Sequence, residues 1–136
     1  MKHWNIHGGH ECHFEGSLLI SRSWGPWNLE AIELYQSHWV RELKESGLTH
    51  WGFCINATAW EMATPDAWEE LFLFMTWVAK NGCQFGGVSF SKQMIINMVD
   101  QAMDEATKDL GMIYQIFDNP DKCLSWCKLQ EKAIIT

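Results

Sequence analysis

A short apolar run, Trp51 to Ile55, leads on to Thr64, Pro65 and Asp66, the most clearly marked helix start in the chain. The run has the length and the aromatic and β-branched content of an interior strand. Thr64 supplies a hydroxyl for the N-cap. Pro65 suits the first helical position because its missing N–H would have no intrahelical partner there, and Asp66 puts a negative charge at the positive end of the helix. A buried strand, a loop over Asn56 to Thr64 and a helix are therefore predicted in succession, and a unit of that kind commits the chain to an α/β architecture.

The rest of the sequence repeats the alternation. His10 to Phe14 and Leu18 to Ser23 read as a β-hairpin around Glu15, Gly16 and Ser17, with Gly25-Pro26 breaking the second run. Leu29, Ile32, Tyr35, Trp39, Val40 and Leu43 then recur at helical spacing until Gly47, a natural stop. The helix that begins at Pro65 runs to Lys80, with Asn81-Gly82 as its C-terminal signal, and Cys83 to Phe90 is the next strand. Ser91 is positioned to cap a third helix whose apolar stripe is Ile95, Met98, Val99, Ala102 and Ala106. Met112 to Phe117 reads as a last strand, and Asn119-Pro120-Asp121 opens a final helix with Leu124, Trp126 and Cys127 on its apolar side. The order β-β-α-β-α-β-α-β-α predicts one domain over 1–136, with right-handed crossovers, a mostly parallel sheet and an antiparallel N-terminal edge strand.

Composition limits what such a domain does. With 10 basic and 17 acidic residues the net charge is −7, which disfavours phosphate backbones and anionic lipid, so nucleic acid is not an expected partner. The 5 cysteines are odd in number and sit mostly inside apolar runs, as reduced core thiols of a cytosolic protein do. No apolar stretch has the length of a transmembrane span, and a soluble cytoplasmic protein is expected. The 9 tryptophans exceed what a small core usually absorbs, so several are expected at a contact surface.

The element order, with Gly25-Pro26-Trp27-Asn28 before the first helix and Ala63-Thr64-Pro65-Asp66-Ala67 before the second, resembles the SpoIIAA-like (STAS-like) family of small bacterial proteins over nearly the whole chain. It is similar to a branch of free-standing domains related to anti-sigma-factor antagonists, in a superfamily that includes lipid-carrying Sec14-type modules. The resemblance implies a regulatory serine at the start of the helix after the central strand, in an Asp-Ser-Ser context. Here Ala63-Thr64-Pro65-Asp66 takes that place. Thr64 offers a hydroxyl, the serine pair is absent, and the preceding run ends in Asn56 where an acid would stand, so capping is the reading preferred for Thr64.

Catalytic chemistry finds no assembled motif. His7, His10, Cys12 and His13 are close in sequence and of types that zinc or copper accepts, but strand geometry sends His13 to the face opposite His10 and Cys12, and no metal is predicted. Cys123 and Cys127 lie one helical turn apart without C-x-x-C spacing. Ser89 is not in a G-x-S-x-G elbow, and Gly86-Gly87 lacks the spacing of a phosphate loop. No residue takes a named catalytic role and no cofactor is implied.

The second helix carries the strongest signal. Ala67, Trp68, Leu71, Phe72, Met75, Val78 and Ala79 form one apolar face, while Leu73, Phe74 and Trp77 fall outside it on what should be the solvent side. A neighbouring helix or the N-terminal segment could cover that second stripe, or it could serve a homodimer contact or a ligand groove. A non-catalytic regulatory or protein-interaction module is expected, with Asn56, Trp60, Thr64 and Asp66 as a regulatory loop, Leu73, Phe74 and Trp77 as the interaction surface, and Trp60 and Trp77 as anchors. The alternative is a carrier or sensor of a small apolar or lipid-like molecule, held near the C-terminal ends of the strands.

Overall fold

A computed structural model describes residues 8–135. Five strands and four helices follow one another as β1 (Gly9–Glu15), β2 (Leu18–Trp27), α1 (Leu29–Ser46), β3 (Trp51–Ala63), α2 (Pro65–Lys80), β4 (Cys83–Ser89), α3 (Gln93–Thr107), β5 (Ile113–Phe117) and α4 (Pro120–Gln130), with a π-helical turn at Glu131–Ile135. The sheet order is β1-β2-β3-β4-β5, with β1 antiparallel to β2 and every other pair parallel. This is the predicted mixed α/β sheet with its antiparallel edge.

Because sequence order and sheet order coincide, successive right-handed crossovers bring α1, α2 and α3 to one face, where α2 packs between the other two. α4 covers β3, β4 and β5 from the other face. Alternation along each strand divides the apolar residues accordingly. Leu19, Phe53, Ile55 and Val88 join the core beneath the three helices, whereas Leu18, Cys54 and Phe85 meet Cys123 and Cys127 of α4.

Local chemistry sets the helix ends. Asn28 Oδ1 accepts from the Ala31 N–H at the start of α1, and Gly47, at φ +69°, closes the helix by donating its N–H to the Lys44 carbonyl. Asn119 Oδ1 accepts from both Asp121 and Lys122 at the start of α4. Ser91 is not a cap: the N-cap of α3 is Lys92, and the Ser91 hydroxyl donates instead to the Thr58 carbonyl at 2.9 Å.

Two strands run further than expected. β2 continues through Gly25-Pro26 to Trp27, and β3 continues through Asn56 to Ala63, so the predicted loop is largely strand. The two extensions pair with each other, from Trp24 with Ala59 to Trp27 with Ala63, and register shifts after Arg22 and after Gly25 take up the irregular residues. A bulge of this kind lets a proline, which has no N–H to give the ladder, sit inside a paired strand.

Candidate functional site

α2 is built from the residues that mark it in sequence, but its start works differently. Thr64 is the N-cap by backbone conformation, yet its hydroxyl donates to Asp66 Oδ1 at 2.6 Å and makes no capping bond. Asp66 Oδ1 in turn accepts from the Ala67 N–H at 2.8 Å. The Thr64 hydroxyl, then this backbone N–H, hold the Asp66 carboxyl below its ordinary pKa. Backbone contact fixes the position of the cap, since the Thr64 N–H donates to the Trp27 carbonyl at the end of β2.

The stripe expected at the solvent surface divides. Phe74 is only 7% exposed and packs against Tyr35 and Trp39 of α1, so it belongs to the core. A turn toward α1 of this kind is invisible in a helical wheel drawn without the neighbouring helix. Leu73 and Trp77 do face outward, at 58% and 37% exposure, and the Trp77 ring stacks on Phe74 with centroids 5.5 Å apart. Around them, at helical spacing on the same outer side, stand exposed Asp66 and Glu69, partly buried Glu70 and exposed Lys80. Acids therefore occupy the N-terminal half of the stripe and a base its C-terminal end. The spacing was present in the sequence, but the charge order becomes meaningful only once the outer face is known.

Trp60 corrects a second expectation. It is 5% exposed, wedged among Trp27, Trp68 and Phe90, and is not a surface anchor. Trp27, Trp39 and Trp51 are also buried, in a chain of aromatic contacts that runs through Tyr35 and Phe53. Asn56 turns its side chain to local work, with Oδ1 accepting from the Thr58 N–H and hydroxyl at 3.1 and 2.7 Å. Asn56 and Trp60 thus belong to the extended strand, whereas Thr64 and Asp66 lie at the helix start, so the four do not form one loop.

Trp60 instead helps to line an apolar cavity of about 60 Å³ under α2, together with Tyr35, Ile55, Phe72, Val88 and Phe90. It lies toward the C-terminal ends of β3 and β4, where a ligand in an open α/β sheet is expected. Its volume is well below the roughly 300 Å³ at which pockets for small molecules begin.

Among the histidines and cysteines of the N-terminal segment, His7 lies outside the described residues. His13 pairs with Glu15 at 2.9 Å. Cys12 lies on the face of the sheet covered by α1, α2 and α3, and His10 meets Tyr35 and His38 of α1, a partner 28 residues away that no local motif announces. Burial, with a smaller contribution from His38, lowers the His10 pKa to about 4, and burial first, then Glu42, pushes the Cys12 thiol up to about 12. On the other face Cys54, Cys123 and Cys127 bring their sulfurs together beneath α4. All 5 cysteines are free and buried.

Among the described residues no helix is long and apolar enough to cross a membrane. No family model and no curated protein matches the sequence. Among solved structures, the fold is similar to that of an uncharacterized protein from the DUF3478 family with a SpoIIAA-like fold, from Shewanella loihica PV-4. The TM-score is 0.67 at 13% sequence identity, over 88% of this chain and 94% of that one. The SpoIIAA-like fold expected from the sequence is therefore the fold this chain adopts.

Proposed function

We propose that this protein is a non-catalytic interaction module that pairs with a second copy of itself through the outer face of α2. The observation that carries the reading is the exposed pair Leu73 and Trp77, bracketed by Glu70 on one side and Lys80 on the other. In a two-fold antiparallel pairing centred on residue 75, Leu73 of each copy meets Trp77 of the other, and Glu70 meets Lys80. One stripe is then complementary to itself in both shape class and charge, as a closed symmetric contact requires. Trp77 is the anchor, already steadied by its stack on Phe74. A contact centred on two large side chains is small, and a weak, reversible dimer with a dissociation constant of about micromolar is the expected scale.

Charge reversal tests the pairing. Glu70→Lys and Lys80→Glu should each give a monomer in sedimentation equilibrium, and mixing the two folded variants should restore a heterodimer. Wild-type protein that stays monomeric at concentrations far above micromolar overturns the reading, as does a dimer that both variants retain.

The second reading, a carrier of a small apolar molecule, rests on the cavity beneath Trp60. Its position suits a carrier, but at about 60 Å³ it holds less than the roughly 150 Å³ of an engineered cavity that takes up benzene. A lipid-sized occupant would require α2 to move away from the sheet. Native mass spectrometry separates the two readings: a retained small molecule supports the carrier, and a doubled mass supports the dimer.

A further inference from the structure

We propose that His10, Cys12 and His38 form a binding site for a divalent transition-metal ion of the zinc type. One ring nitrogen from each histidine and the Cys12 sulfur all lie within 4.8 Å of one another. His10 Nε2 and His38 Nδ1 face each other at 2.9 Å. Tetrahedral zinc bonds of 2.0–2.3 Å put neighbouring donor atoms about 3.3–3.6 Å apart, so small side-chain adjustments bring these three to that spacing. Two imidazoles and one thiolate form a borderline donor set suited to zinc, with a fourth position left for water or another ligand.

Charges of both signs stand near the cluster, the Arg41 guanidinium and the Glu42 carboxylate both acting on Cys12. Glu42, one turn beyond His38 on α1, brings Oε2 to 3.8 Å from His38 Nε2. A proton on Nε2, on the side of this carboxylate, would leave the lone pair on Nδ1, the atom turned toward His10. A carboxylate behind a ligating histidine is the usual outer partner of a zinc site. Tyr35 packs edge-on against the His10 ring with centroids 5.3 Å apart and limits its rotation.

An independent feature lies beside the cluster. Ser21 pairs with Cys12 across the β1–β2 ladder, which puts both side chains on the same face of the sheet. Its hydroxyl is buried, at 2% residue exposure, and has no hydrogen-bond partner. Buried hydroxyls in native proteins are nearly always paired, so this one marks a place where a further polar group fits. Coordination of an ion here would fasten the edge strand β1 to α1.

On coordination the proton shared between the two facing ring nitrogens moves, by exchange with solvent, to the other nitrogen of the ring that held it, and the Cys12 thiol releases its proton to water. The three thiols beneath α4 form a built-in comparison. Cys54, Cys123 and Cys127 are also within 4.8 Å of one another, but α4 encloses them and Cys127 donates to the Phe53 carbonyl.

The test uses the full chain, stripped with a chelator and titrated with zinc chloride, then with cobalt(II) as a spectroscopic probe. One zinc per chain is expected, together with a near-ultraviolet thiolate-to-cobalt band and the strong visible absorption of a four-coordinate ion. Cys12→Ser should abolish the thiolate band, His38→Gln should weaken binding at least about 100-fold, and Glu42→Gln should weaken it about 10–100-fold, the scale of an outer-partner effect. Cys54→Ser should change nothing. The absence of a cobalt–thiolate band in the folded wild-type protein overturns the proposal, and so does binding that survives Cys12→Ser undiminished. His38→Gln alters a partly exposed helix flank, so it keeps the test decisive even if Cys12→Ser fails to fold.

Discussion

The ring of Phe53 occupies the space that a side chain at Gly86 would need. A Cβ at Gly86 would fall inside contact distance of three Phe53 ring atoms, and on the opposite face of the same two strands the Phe85 ring stands in the same relation to Gly52. The ladder pairs Phe53 with Gly86 and Gly52 with Phe85, so each strand supplies one ring and one gap. Gly86→Ala should therefore strain a packed core and cost about 1–3 kcal/mol. The midpoint of a urea melt measures it, and an unchanged midpoint would show that the sheet yields more easily than this packing implies.

Trp60→Ala distinguishes a core wedge from a surface anchor. With Trp27, Trp68 and Phe90 around the ring, its removal should destabilise the fold by about 3–5 kcal/mol and enlarge the cavity beneath α2. A surface anchor would leave stability nearly unchanged and alter only association. Chemical denaturation together with sedimentation reads both.

The start of α2 should respond to acid. The folded state holds the Asp66 carboxyl below its unfolded value, through the Thr64 hydroxyl first and the Ala67 N–H second. Its contribution is thus present above the ordinary carboxylate pKa and is lost as pH falls through the lower folded value. Thr64→Val should move the Asp66 titration upward toward the ordinary range. Carboxyl-carbon chemical shifts followed against pH give the direction directly, and an unmoved titration would mean that the hydroxyl bond has no hold on the carboxylate.

The cap of α4 makes two hydrogen bonds where a usual cap makes one. Asn119→Ala should cost about 1 kcal/mol and speed hydrogen exchange at the Asp121 and Lys122 amides ahead of the rest of the helix. Equal protection at those two amides in both proteins would remove the cap from the account.

Much of this fold is legible along the chain because its signals are local. Thr64-Pro65-Asp66 and Asn119-Pro120-Asp121 mark helix starts through proline geometry and helix electrostatics, and Gly47 marks a stop through its left-handed conformation. Alternating strand and helix patterns then leave few topologies open. The extension of β3 past Asn56 is hidden for the opposite reason: Ala59, Trp60, Met62 and Ala63 are strand because Trp24 to Trp27, far away in sequence, pair with them.

The candidate sites divide along the same line. Sequence determined that Leu73 and Trp77 lie outside the sheet-facing stripe of α2, since 100° per residue is a property of the helix itself. Tertiary structure decided that Phe74, nearly their neighbour on the wheel, turns into α1, that Trp60 closes a core, and that His38 arrives beside His10 and Cys12. The physical reason is range. Helix phase and capping act over a few residues, whereas burial and the meeting of donor atoms depend on which elements pack together.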